Sequence, residues 1–173
     1  NDTPEEYVRQ TIEKRLVNEH KYLPKQIRIE YTLQLGSRKP RADIVIFDKD
    51  CTEQTQENIK IIIECKKEAV EARNAKDGVE QLKPYMSACP NCEWGMWTNG
   101  RQKEVYRKYV NEKGQIDFMD YNDIPSADGN LDDINRPKRT TLKNAYDDNL
   151  LFTFRTCHNI IYVYEGLQKQ PAF

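Results

Sequence analysis

Three ionisable residues interrupt two strand-like runs, and their types suit one kind of chemistry. The first run is Pro40-Arg41-Ala42-Asp43-Ile44-Val45-Ile46-Phe47, with Asp43 near its start. The second is Ile59-Lys60-Ile61-Ile62-Ile63-Glu64-Cys65-Lys66-Lys67, with Glu64 and Lys66 near its end. Such β-branched runs, separated by the polar segment Asp48 to Asn58, predict two strands paired as a hairpin. Side chains alternate faces along a strand, so Glu64 and Lys66 share one face, and Ile61, Ile63 and Cys65 share the other. Pairing of the two strands lets Asp43 meet Glu64 at one end of the sheet. Two carboxylates that close repel, and one keeps its proton unless a cation stands between them. Hard oxygen ligands suit Mg²⁺ or Mn²⁺, and such a cation activates water and offsets the charge of a phosphate. A lysine beside it orients or deprotonates an attacking water. Asp, a spacer and Glu-x-Lys therefore fit phosphodiester hydrolysis. The competing reading is a pair of solvated strand tips.

The surrounding elements must bring these groups together. Thr3-Pro4-Glu5-Glu6 opens a helix, with Thr3 as N-cap, Pro4 in the first turn and Glu6 at the capping-box position. Val8, Ile12 and Leu16 form its apolar stripe. At 100° per residue Glu5 falls inside that stripe and Glu6 well outside it, so Glu5 needs either a partner or the helix dipole. Glu13 and Glu19 are weaker candidates for the same role. Ile27 to Leu35 alternates strictly and predicts a strand. Gly36 to Pro40 is a turn whose Arg38 and Lys39 are available to phosphates or simply solvated. Residues 68–77 are charged and irregular, as expected of a mobile segment over the site. Gly78 to Met86 predicts a helix with Val79, Leu82 and Met86 on its apolar side. Gln81 and Tyr85, four apart, occupy neighbouring positions on it, and Pro84 requires either a kink or a later helix start.

Glu93 to Thr98 and Lys103 to Val110 predict a strand pair joined at Asn99-Gly100, followed by a short strand near Ile116 to Met119. Residues 120–139 read as loop or linker. Over 140–164, apolar residues from Leu142 to Tyr164 recur at helical spacing and predict a long amphipathic helix ended by Gly166. Cys89-Pro90-Asn91-Cys92 is a CxxC turn, which is half of a structural zinc site. Its remaining candidate partners, Cys157-His158 and His20, lie far away in sequence.

Arg41-Ala42-Asp43-Ile44-Val45-Ile46 with Ile62-Ile63-Glu64-Cys65-Lys66-Lys67 resembles the PD-(D/E)xK nuclease signature. More narrowly, it resembles the N-terminal nuclease domain of type I restriction enzyme R subunits. Gln81-Leu82-Lys83-Pro84-Tyr85 is similar to the Q-x-x-x-Y element of that branch, and Trp94 to Gly100 to the strand and turn that follow it. The likeness covers about residues 4–110. One departure is Ala42, where the broader superfamily often has Pro before Asp. The resemblance implies an α/β fold with a restriction-endonuclease-like core: a mixed central sheet of about five strands flanked by helices, plus a C-terminal helix. It implies Asp43 and Glu64 as metal ligands, joined by the backbone carbonyl of Cys65. It adds Lys66 as the residue that positions water, Gln81 and Tyr85 in support, and Glu5 as an extra ligand from the first helix. The implied cofactor is Mg²⁺, with Mn²⁺ as a substitute. The implied partners are double-stranded DNA and other restriction-modification parts: a helicase motor or N-6 adenine methylase, and a specificity subunit.

These features divide the chain into a nuclease-like domain over 1–120, a linker over 121–139 and a helical segment over 140–173 that leads into a further module. The 173 residues suffice for a domain with a real core. With 32% charged residues, no apolar run approaches the length of a membrane span. The net charge of −1 argues that DNA affinity comes mainly from other domains. Five cysteines without a secretory signal point to a reducing, cytoplasmic setting. The Asn1 start and the Phe173 end suggest a piece of a longer protein. No Walker-type phosphate loop or methylase motif appears. The alternative reading is a catalytically silent nuclease-fold domain used for DNA holding or subunit docking.

Overall fold

Thr3 and Pro4 start the first helix as their types dictate. In a computed structural model that describes residues 3–74, 77–131 and 134, α1 spans Pro4–Asn18. The Thr3 hydroxyl accepts the Glu6 N–H at 3.2 Å, and Val8, Ile12 and Leu16 are buried against the sheet. The helix expected over 140–164, the segment beyond it and part of the 121–139 linker lie outside the described residues.

The sheet is built from β1 (Ile27–Thr32), β2 (Arg41–Phe47), β3 (Ile59–Cys65), β4 (Trp94–Thr98), β5 (Lys103–Val110) and β6 (Ile116–Tyr121). Spatial order follows chain order. The β3–β4 pair is parallel and every other pair antiparallel. A parallel neighbour requires a crossover, and α2 (Leu82–Ala88) supplies it. α1 packs with Ile44, Ile46, Ile61, Ile63, Met96 and Val105. α2 packs with Val45, Ile62 and Trp97 in a second cluster. Opposite parities on β2 and β3 feed these two clusters, so the sheet is covered on both faces. Contact between α2 and the sheet is close enough that a Cβ on Gly95 of β4 would run into the Met86 thioether.

Three expectations need correction. The strands number six rather than about five. The short run near Ile116 extends to Tyr121 and pairs with Val105–Val110 of β5, because the Asn111–Gly114 turn, with Gly114 at φ +73°, closes the hairpin. The strand expected from Ile27 to Leu35 ends at Thr32; Leu33 turns into the core, and Leu35 bridges Arg38 across Gly36, whose φ of +60° suits a residue without Cβ. The helix expected from Gly78 begins as a 3-10 turn over Val79–Gln81, which places Pro84 in the first turn of α2, where its missing N–H costs nothing.

The segment after Lys66, expected to be mobile, is held by side chains from β4 and its following turn. Asn99 donates to the carbonyls of Glu68 (3.3 Å) and Val70 (2.8 Å). Gln102 accepts the Ala72 N–H at 3.1 Å, and the Trp97 indole donates to the Asp77 carbonyl at 3.0 Å. At the far end of α2, the Lys108 ammonium donates to the carbonyls of Met86, Cys89 and Pro90 at 2.8, 2.7 and 3.2 Å. Cys89 and Cys92 lie buried beside it, and Cys92 donates to the Trp94 carbonyl. Burial raises their thiols to about 11 and about 12, which opposes the thiolate form that zinc needs.

Candidate active site

The central strands part at one end of the sheet. The β2–β3 ladder runs from Phe47/Ile59 to Ile44/Ile63 and stops there. Beyond that point β2 continues to Arg41 paired only with β1, and β3 continues to Cys65 paired only with β4. The divergence frees the Cys65 N–H from any β2 carbonyl, and the Asp43 carboxylate accepts it at 2.7 Å. A buried N–H requires a partner, so the fork itself fixes where Asp43 points.

Glu64, one residue before the end of β3, is 1% exposed. Lys66 follows the strand, its backbone N–H held by the Thr98 carbonyl at 2.8 Å. Its ammonium lies 3.3 Å from Glu64, 3.6 Å from Glu5 and 3.8 Å from Asp43. The structure thus gathers four of the sequence-derived residues, Glu5, Asp43, Glu64 and Lys66, around one ammonium. Glu5 arrives from the N-terminus of α1 and the others from the two parted strands. Glu13 and Glu19 pair instead with Arg9 and Arg15.

Charge in this cluster is unbalanced, with three carboxylates to one cation. Burial, reinforced by Asp43, pushes the Glu64 carboxyl up to about 8. Burial also raises Asp43 against the opposing effect of the Cys65 N–H and Lys66. For Lys66, burial alone would lower the pKa, but Glu64, Asp43 and Glu5 together hold it above its ordinary value. These shifts favour an ammonium on Lys66 and a proton on Glu64, as crowded buried carboxylates do.

Whether these residues suit a metal is decided by the donors. One Glu64 carboxylate oxygen is fully buried with no hydrogen-bond partner, although its neighbour faces Lys66. An unpartnered buried acceptor next to a second carboxylate is a hard-oxygen pair that a divalent cation satisfies. Among the described residues, no three Asp, Glu, His or Cys side chains are gathered around one point as a complete ligand set. The donors therefore fit a cation that takes two carboxylates and completes its shell with main-chain oxygen and water, as Mg²⁺ commonly does.

Gln81 and Tyr85 come together as the helical spacing requires. The Gln81 amide donates to the Tyr85 hydroxyl at 2.8 Å, while its carbonyl oxygen is buried without a partner. The pair lines a cavity of about 370 Å³ with Arg38 and Pro40 of the basic turn. Among the described residues, no hydrogen bond joins the pair to Asp43, Glu64 or Lys66. A separate cavity of about 430 Å³ opens beside Asp43, lined by Glu5, Arg9, Glu30, Arg41 and Lys67. A larger one, about 660 Å³, lies at the other end of these strands around Phe47, Ile61 and Trp94, and contains none of the motif residues.

Two residues flanking Asp43 were not singled out from sequence. Arg9, one helical turn after Glu5, pairs with Glu6 and, at 2.9 Å, with Glu30. Glu30 also pairs with Arg41 at 3.1 Å and has a φ of +51° within β1, in register opposite Asp43. Position on the same helical face as Glu5 was the available signal for Arg9. No local pattern marks Glu30.

A family model described as the type I restriction enzyme R protein N terminus matches residues 4–125. No curated protein and no solved structure matches the chain. The match runs from the start of α1 to just beyond β6 and so takes in every residue of the cluster, and on that extent the chain belongs to the type I restriction enzyme R protein N-terminal family.

Proposed function

We propose that this domain is the endonuclease module of a restriction-modification system, with a PD-(D/E)xK core that hydrolyses phosphodiester bonds in double-stranded DNA. The single observation that supports it most is the convergence of Asp43, Glu64 and Glu5 on the Lys66 ammonium where β2 and β3 part. Asp43 and Glu64, with the main-chain carbonyl of Cys65, would hold Mg²⁺ or Mn²⁺, and Glu5 would add a ligand directly or through water. A divalent cation there supplies a lowered pKa for water and charge neutralisation on the phosphate.

The chain's own residues do the rest. Glu64, an acid raised by burial, would have to give up its proton to serve as a ligand. Lys66, released from its carboxylates, keeps its charge and orients the attacking water toward phosphorus. As the water oxygen bonds to phosphorus it passes a proton to bulk water, the bond to the leaving sugar oxygen breaks, and that oxygen takes a proton from bulk water. Gln81, whose amide donates to the Tyr85 hydroxyl, would hold a water or a DNA phosphate, and Arg38 beside it would contact a phosphate. Partner domains or subunits, a helicase motor or an N-6 adenine methylase together with a specificity subunit, supply sequence recognition, and the working compartment is the cytoplasm. No helix among the described residues is long and apolar enough to cross a membrane.

The test is nicking of supercoiled plasmid by the full chain. Cleavage is expected with Mg²⁺ or Mn²⁺, to be lost in EDTA and in folded Asp43→Ala. A domain that binds DNA equally well in EDTA and never cleaves is a docking module.

A further inference from the structure

Between the Glu64-x-Lys66 pair and the Gln81 turn, the described residues 67–74 and 77–78 form no helix or strand, yet this segment connects the two halves of the proposed site. Its course is set from β4. Asn99, 3% exposed, is the main fastener. Its carboxamide oxygen accepts the backbone N–H groups of Arg101 (3.0 Å) and Gln102 (2.6 Å), which shapes the β4–β5 turn. Its amide nitrogen donates to the carbonyls of Glu68 and Val70, two and four residues after Lys66. One side chain therefore spends its acceptor on the turn and both of its donors on the strap. The Lys66 backbone is anchored to the carbonyl of Thr98, the residue just before Asn99. Gln102 and Trp97 hold the strap further along, at Ala72 and Asp77.

We infer that Asn99 is a positioning residue: by tying residues 68–70 to the β4–β5 turn it sets the direction in which Lys66 leaves β3. This rests on the nuclease reading above. Hydrogen-bond direction makes the role specific. Only a side chain with both an acceptor and two donors can join the turn to the strap. Aspartate in its place keeps the two bonds to the turn and loses the two to the strap, leaving two carbonyls without their donor.

The test compares wild type, Asn99→Asp and Asn99→Ala as full chains, with Asn111→Ala as control. Asn111 performs the same turn-capping task at the β5–β6 hairpin, accepting the N–H groups of Lys113 and Gln115, away from the site. Hydrogen exchange without DNA or metal is expected to quicken at least tenfold over residues 67–74 in Asn99→Asp, with β2 and β3 unchanged. Plasmid nicking at saturating DNA is expected to fall at least tenfold in kcat in that variant with KM unchanged, while Asn111→Ala keeps wild-type kcat. Unchanged exchange in Asn99→Asp overturns the strap. Faster exchange with wild-type kcat overturns the positioning role and leaves Asn99 a structural residue. Wild-type protein that fails to nick overturns the nuclease reading, and the exchange result, which needs no cleavage, separates that failure from failure of the strap.

Discussion

Replacing Glu64 with Gln tests the electrostatics of the cluster without altering its shape. Glu64 is 1% exposed and its carboxyl is raised to about 8, against an ordinary 4.5. An acid raised on folding contributes stability that is full below its unfolded pKa and is lost as pH rises through the folded one. Wild type should therefore weaken between about pH 4.5 and 8. The gap sets an upper limit of roughly 5 kcal/mol. That limit already contains the pull of the Lys66 ammonium at 3.3 Å; rearrangement and water entry on ionisation relieve part of it, so about 2 kcal/mol is expected, or roughly 5–10 °C in Tm for a domain of this size. Glutamine cannot ionise and escapes this loss. In metal-free buffer the Tm of Glu64→Gln should match wild type near pH 4.5 and exceed it at pH 8.5. A residual slope should remain from Asp43, also raised by burial. Scanning calorimetry at half-unit pH steps reads the effect directly. Parallel Tm curves for the two proteins across this range would refute the reasoning.

Lys66→Met removes the one cation shared by three carboxylates. Nicking should fall at least about a hundredfold, and the Tm deficit against wild type should be larger at pH 8 than at pH 5. Gly95→Ala drives a methyl into the buried Met86 side chain and should cost about 1–3 kcal/mol in urea unfolding, with no effect on pH dependence. Lys108→Met strips the donor from three carbonyls at the end of α2 and should cost about 1–3 kcal/mol, with faster alkylation of Cys89 as the local readout.

Much of the scaffold was legible because its periodicities are local. The Thr3 cap, the Val8–Ile12–Leu16 stripe and the β-branched runs of β2 and β3 each fix their element from a few neighbouring residues. The parity that puts Glu64 and Lys66 together also holds, and it leaves Ile61, Ile63 and Cys65 against α1. Alternation fails at two places that no short window shows. A bulge at Lys60 sends Ile59 and Ile61 to opposite clusters. At Asp43, opposite the positive φ of Glu30, Ala42 and Ile44 likewise pack on opposite faces. Both depend on how one strand meets its neighbour. The same is true of the fork that aims Asp43 and of the strap held by Asn99, whose partners lie about thirty residues upstream. Glu5 was readable because helix geometry puts it in line with the Val8–Ile12–Leu16 stripe, although its side chain is 44% exposed. Gln81 and Tyr85 were readable as a pair, and Arg38 as part of the Gly36–Pro40 turn, but their shared cavity depends on how that turn lies beside the pair.

Manganese soaked into crystals of the full chain tests the central claim most directly. Anomalous difference density is expected between the carboxylates of Asp43 and Glu64, with the Lys66 ammonium displaced from between them. Crystals in millimolar Mn²⁺ that show no density there, with Lys66 still within about 4 Å of Glu5, Asp43 and Glu64 as it is now, would contradict a metal-dependent site at this fork.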